Sequence, residues 1–191
     1  MITAYAPHNG KSAEEKLRFY NELDQCYRSL SANQGKLVLG DFNARLGQCQ
    51  PGEELLLGDY SPGRPVTHGF EPCNRDLLLE FCESTGTLVA NTFYDTPLEE
   101  KMTYAQPGAA TSGVINETQY HLLDLILCDA AHLPRITEIR SLSRAHLASD
   151  HFLVRCATLW EAESRTCEQP RRRNWHSLHD ITSVPRFSKL L

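Results

Sequence analysis

Several features are scarce in this sequence, and each scarcity narrows its chemistry. The seven cysteines (Cys26, Cys49, Cys73, Cys82, Cys128, Cys156 and Cys167) contain no Cys-x-x-Cys pair, so nothing supports a zinc finger or ribbon. Their number is odd and no leader precedes them, so they are expected to be reduced thiols of an intracellular protein, nuclear or cytoplasmic. No apolar run approaches the ~20 residues needed to span a bilayer. Neither sign of charge dominates: 19 Lys and Arg face 24 Asp and Glu, a net charge of −5. That balance argues against tight nonspecific binding of nucleic acid. It does not exclude a nuclease, because acids at a metal site offset basic residues elsewhere. No internal repeat is visible.

What remains is an ordinary globular composition, 41% hydrophobic and 23% charged over 191 residues. This suits one domain with a real core. Met1 to Ala6 reads at once as a strand, in mid-pattern, so sequence belonging before it is expected to be missing. Ser12 and Glu15 form a capping-box pattern for a helix running to about Ala32, with Leu17, Tyr20, Leu23, Tyr27 and Leu30 on its buried face. Asn33-Gln34-Gly35 ends it. Lys36 to Leu39 is a short apolar strand. Residues 45–72, rich in Gly and Pro, read as a long surface loop. A second helix is expected from Arg75 to about Ser84, with Asn74 as cap and Gly86 as stop.

Strands are expected at 88–92, 102–105, 121–128, 136–141 and 152–159. The order points to an α/β (α+β) protein with a mixed sheet. Residues 161–191, including Arg171-Arg172-Arg173, read as a linker or tail, although these arginines beside Trp175 could also bind a nucleic-acid backbone and stack a base.

Three sites carry chemistry. Gly40-Asp41-Phe42-Asn43 follows a buried strand, and alternation sends Asp41 and Asn43 to one face. A carboxylate can move a proton of an attacking water or bind a cation, and the carboxamide can donate to phosphate oxygens. The same residues read equally well as a turn. Asp124 interrupts the apolar run His121-Leu122-Leu123-Asp124-Leu125-Ile126-Leu127. A carboxylate there needs a partner, a functional site or a solvent-facing position. Ser149-Asp150-His151 precedes the last strand, and His151 can serve as base or phosphate partner. Asp150 and His151 point opposite ways in extended backbone, so Asp124 on a neighbouring strand is the better partner for His151. A surface turn is the plainer reading of that tripeptide.

The combination resembles the endonuclease/exonuclease/phosphatase superfamily over about residues 1–160. Gly40-Asp41-Phe42-Asn43-Ala44 matches its GDFNA motif, and Leu123 to Leu127 resembles its L-D-(aromatic)-I-L strand. Ser149-Asp150-His151 matches its SDH motif, and Tyr5-Ala6-Pro7 its Tyr-x-Pro segment. Within it, the residues are most similar to endonuclease domains of non-LTR retrotransposons and craniofacial-development-protein-2-like proteins. Arg75 to Cys82 resembles their G-R-x-L-L-x-F-C helix, Asn91-Thr92-Phe93-Tyr94 their N-T-F-F segment, and Thr103-Tyr104 their T-W/Y segment.

The resemblance implies a four-layer αββα sandwich with its first part missing. It implies a Mg²⁺ (or Mn²⁺) dependent hydrolysis of a phosphodiester, DNA being the expected substrate. His151, oriented by Asp124, would contact the phosphate or act as base. Asp41 would activate water or protonate the leaving group, Asn43 would hold a phosphate oxygen, Tyr5 would approach from the side, and Asp150 would be a metal ligand. The family's metal-binding Glu is expected to lie ahead of Tyr5, where only four residues stand, and His8 occupies the place of an Asn. Two alternatives stay open. The chain is a non-catalytic remnant or binding module, or it acts on another phosphate ester.

Overall fold

A computed structural model of the chain describes residues 1–31, 35–65, 72–109, 115–143, 145 and 148–159. The tail expected at 161–191, with Arg171 to Arg173, Trp175 and Cys167, lies outside the described residues, as do Asn33 and Gln34.

Strand β1 (Ile2–Tyr5) runs parallel to β2 (Leu37–Asp41), with helix α1 (Ala13–Ser29) as the crossover. The Ser12 hydroxyl accepts the Glu15 N–H at 3.2 Å and Glu15 reaches back to the Ser12 N–H at 3.3 Å, which sets the start of α1. Leu30 ends the helix in extended backbone, two residues before the expected end. Its buried stripe is Lys16, Tyr20, Leu23 and Tyr27, while Leu17 is exposed. Tyr20, Leu23 and Tyr27 are buried as expected, and at the start of the stripe Lys16 takes the place expected of Leu17. Lys16 occupies it by sending its ammonium out to the Pro72 carbonyl, 3.4 Å away.

Helix α2 (Asn74–Thr85) packs beside α1. Cys73, not Asn74, is its N-cap, and Asn74 is fully buried. Gly86, in left-handed backbone at φ 67°, closes it and turns the chain into β3 (Thr87–Val89). Ala90–Phe93 is a 3₁₀ turn and α3 (Leu98–Lys101) a single turn. Then come β4 (Tyr104–Ala105), β5 (Tyr120–His121), β6 (Asp124–Asp129), β7 (Ile136–Leu142) and β8 (Leu153–Thr158).

One sheet has the order β1-β2-β6-β3, with β6 antiparallel to both neighbours. Alternation gives it two apolar faces. Val38, Val89, Leu125 and Leu127 join the core with Tyr20, Leu23, Leu77, Leu78 and Phe81 of α1 and α2. Leu37, Leu88, Ile126 and Cys128 face Ile136 and Ile139 of β7. The β7-β8 hairpin is thus the second β layer, and the described residues build the α-β-β part of an αββα arrangement. A second helical layer is not present among them.

Three further expectations need correction. The strand expected at 88–92 ends at Val89, and Ala90–Phe93 is a 3₁₀ turn. The run 121–128 is two strands, because Leu122 and Leu123 are both buried where the chain leaves β4 and joins β2. The described part of the Gly/Pro-rich stretch is not only surface: Leu46 and Leu57 are buried, and the Gly58 N–H donates to the Thr92 hydroxyl at 2.8 Å. Among the described residues, no helix is long and apolar enough to cross a membrane.

Candidate active site

Sheet register brings the chemistry to one edge. Tyr5, the last residue of β1, stands opposite Asp41, the last of β2. Asp41 stands opposite Asp124, the first residue of the antiparallel β6. Three strand ends therefore meet at one point. Gly40 is required for this close pairing. A Cβ there would lie 1.8 Å from the Ala4 carbonyl oxygen of β1.

Past Asp41 the backbone turns. Asn43 has φ 47°, so alternation does not place it beside Asp41; local hydrogen bonds do. Its N–H donates to Asp41 Oδ1 at 2.8 Å. Its carboxamide Nδ2 donates to the Ala6 carbonyl at 2.8 Å and to Asp41 Oδ2 at 3.3 Å. Asn74, at the start of α2, braces this turn by donating to the carbonyls of Pro7 and Asn43.

His151 precedes β8 and forms an isolated bridge with Tyr104. Its Nδ1 lies 2.9 Å from Asp124 Oδ2, and its Nε2 lies 3.8 Å from Asp41 Oδ2. With Nδ1 as donor to Asp124, Nε2 is left for the cleft. The Tyr104 ring packs edge-on against the imidazole at 5.0 Å. Asp41, Tyr104 and His151 line a cleft of about 600 Å³ with Tyr5, Asn43 and Arg45, and Asp124 stands behind His151. Tyr5 is exposed on its rim, and Asp150 is exposed beside His151.

Burial pushes the Asp41 carboxyl above the usual range. Asp124 and Asp150 add to this, while the Asn43 N–H and His151 oppose it. Burial alone would lower His151. The hydrogen bond and charge of Asp124, with Asp41 and Asp150, outweigh it and hold the imidazole above its ordinary value. The result is an acid and a base side by side, each shifted toward keeping its proton.

Among the described residues, no group of three or more His, Cys, Asp or Glu side chains is placed to hold a metal ion. The donors present do not fit the expected Mg²⁺ (or Mn²⁺) on their own. Six of the cysteines are free thiols, and none lines the cleft. Arg45 and Tyr104 were not among the residues expected here; Tyr104 could have been found from its place in the Thr103-Tyr104 segment.

No family model matches the sequence. Craniofacial development protein 2 of Bos taurus is 24% identical over 155 residues, covering 81% of this chain and 23% of that protein. The same protein of Tragulus javanicus is 23% identical over 155 residues, covering 81% and 24%. The chain thus spans about a quarter of the curated relatives it matches. Among solved structures, a 3′ phosphatase, NExo, from Neisseria bound to a product DNA hairpin superposes with a TM-score of 0.56 at 17% identity, over 83% of this chain and 60% of that one. An AP endonuclease from Archaeoglobus fulgidus gives 0.53 at 12% identity, over 82% and 60%. The fold is that of the endonuclease/exonuclease/phosphatase proteins. Within this fold, the described residues contribute the β1-β2-β6-β3 sheet, the β7-β8 hairpin and the α1-α2 helical layer.

Proposed function

We propose that the cleft hydrolyses a phosphodiester of nucleic acid, with Asp41 and His151 as its proton-transfer pair. The observation that carries this is the chain of contacts Asp124–His151–Asp41, at 2.9 and 3.8 Å, open to a cleft beside Asn43. One of the pair takes a proton from water as its oxygen bonds to phosphorus. The other gives a proton to the leaving ester oxygen as the P–O bond breaks. Release of one proton to solvent water by the first and uptake of one from water by the second restore both. Asp124 fixes the imidazole and favours its charged form, which offsets the anionic phosphate. In this reading Tyr5 approaches a phosphate oxygen from the rim, Asn43 holds one in exchange for its longer bond to Asp41, and Arg45 adds a cation at the cleft wall.

DNA is the substrate class we favour, by the fold's likeness to a phosphatase solved with a DNA hairpin and to an AP endonuclease. The retrotransposon-type activity and the divalent cation follow from the sequence motifs, and Asp150 is the one exposed carboxylate that the described cleft would offer such a cation. The incomplete donor set among the described residues favours a second reading, a phosphate-binding module without hydrolysis.

Supercoiled plasmid incubated with the purified chain in Mg²⁺, beside Asp41→Ala and an EDTA control, separates them. Nicking that needs both Asp41 and the cation supports the first reading. Binding of DNA without nicking by the wild type supports the second. Release of phosphate from another ester, without nicking, moves the substrate class.

A further inference from the structure

We propose that Thr103 is a positioning residue that locks Asp124 and His151, the hydrogen-bonded pair of the cleft, into one geometry. This rests on the reading of the cleft given above. Thr103 is 1% exposed and does not itself line the cleft, yet both halves hang on it. Its Oγ1 accepts the N–H of Leu123 at 3.0 Å and the N–H of Asp124 at 2.9 Å. Its own N–H donates to the His121 carbonyl at 3.0 Å. Its carbonyl accepts the Phe152 N–H, next after His151, at 2.7 Å. Three bonds reach the Asp124 segment and one reaches the His151 segment. The residues that follow extend the clamp: Tyr104 bridges His151, and the Ala105 N–H donates to the Asp150 carbonyl at 2.9 Å.

The residue type matches the task. The break between β5 and β6 leaves two adjacent N–H groups, and one hydroxyl oxygen has two lone pairs to receive them. The β-branched side chain restricts χ1, so the oxygen is held in place. Valine has the same shape without the acceptor. Serine keeps the oxygen and loses only the methyl.

The test compares Thr103→Val and Thr103→Ser in the full chain. The first readout is the ¹⁵N shifts of the His151 imidazole, followed to rising pH until they stop changing, where the neutral ring reports its tautomer. His151→Ala assigns the signals. The second is kcat against KM for phosphodiester cleavage. Wild type and Thr103→Ser are expected to hold the Nδ1–H tautomer, and Thr103→Val to become a mixture. Thr103→Val should lose kcat by about tenfold or more with KM nearly unchanged, and Thr103→Ser should recover most of it.

A Thr103→Val protein that keeps the tautomer, or a Thr103→Ser protein as impaired as Thr103→Val, overturns the proposal. If Thr103→Val does not fold, amide exchange in the wild type decides. Leu123 and Asp124 amides exchanging as fast as exposed loop amides overturn it, and strong protection retained in Thr103→Ser supports it. A wild type that cleaves nothing but shows the tautomer pattern leaves this inference standing and removes the catalytic reading instead.

Discussion

Replacing Arg75 by methionine removes a buried charge contact that ties α2 to the segment leaving the cleft. The Arg75 side chain is 2% exposed and its guanidinium makes a forked pair with Glu53, at 2.8 and 2.6 Å. Its Nε donates to the Leu46 carbonyl at 2.5 Å. Methionine fills similar space and carries no donor. The Leu46 carbonyl then loses a charged donor inside the protein, at a cost of about 1–3 kcal/mol. Glu53, only 17% exposed, loses its guanidinium partner. Breaking such a buried pair costs roughly 3–5 kcal/mol in all. That is a large part of the 5–15 kcal/mol typical of a domain.

Urea titration followed by circular dichroism at pH 7 measures it. The midpoint should fall while the slope stays constant. The double variant Arg75→Met, Glu53→Met should recover at least ~1 kcal/mol of the loss, because no carboxylate is then left facing the missing cation. A loss under ~1 kcal/mol for Arg75→Met, or simple additivity in the double variant, would refute the reasoning.

Gly40→Ala should prevent folding or leave little soluble protein. The new Cβ meets backbone of β1, which cannot swing aside as a side chain would, and thermal melting of any soluble fraction checks this. Lys101 gives a pH signature. Its ammonium is buried, bonded to the Tyr60 and Tyr94 carbonyls, and burial lowers its pKa to about 8, against the opposing charge of Asp95. The folded protein therefore sheds this proton before the unfolded chain does. Measured against Lys101→Met at each pH, wild-type stability should rise between pH 8 and 10.5 by on the order of 3 kcal/mol, with the full penalty present at neutral pH. A flat difference across that range would contradict it. Asn91→Leu should destabilise by about 2 kcal/mol, since Asn91 accepts the Ile126 N–H at 2.7 Å and donates to the Asp124 carbonyl at 3.3 Å. An unchanged urea midpoint would count against that.

Much of the cleft was legible because its residues lie at ends of apolar strands. Asp41 follows Lys36 to Leu39, Asp124 stands in an apolar run, and His151 precedes one. Strand ends place side chains at an edge whatever the register, so the contact between Asp124 and His151 was within reach of sequence reasoning. The turn at Asn43 was not. Its positive φ replaces alternation with a hydrogen bond to Asp41, and period-two reasoning has no term for that. The split of 121–128 was hidden for a related reason. Leu122 and Leu123 are buried on either side of a bend, and the group that stabilises the bend, Thr103, is distant in sequence. Lys16 in the buried stripe of α1 misled the periodicity, because its long stem is apolar while its head reaches a carbonyl. The role of Leu57 could not be read from a Gly/Pro-rich stretch, because composition says nothing of which apolar residue turns inward.

The most direct measurement is the initial rate of plasmid nicking in Mg²⁺ by the wild type, Asp41→Ala and His151→Ala, each first shown to be folded. If Asp41 and His151 share the protons of the reaction, the wild type nicks DNA and each variant loses about a hundredfold or more. A wild type that leaves the plasmid supercoiled, or an Asp41→Ala protein that nicks it equally fast, would contradict the account.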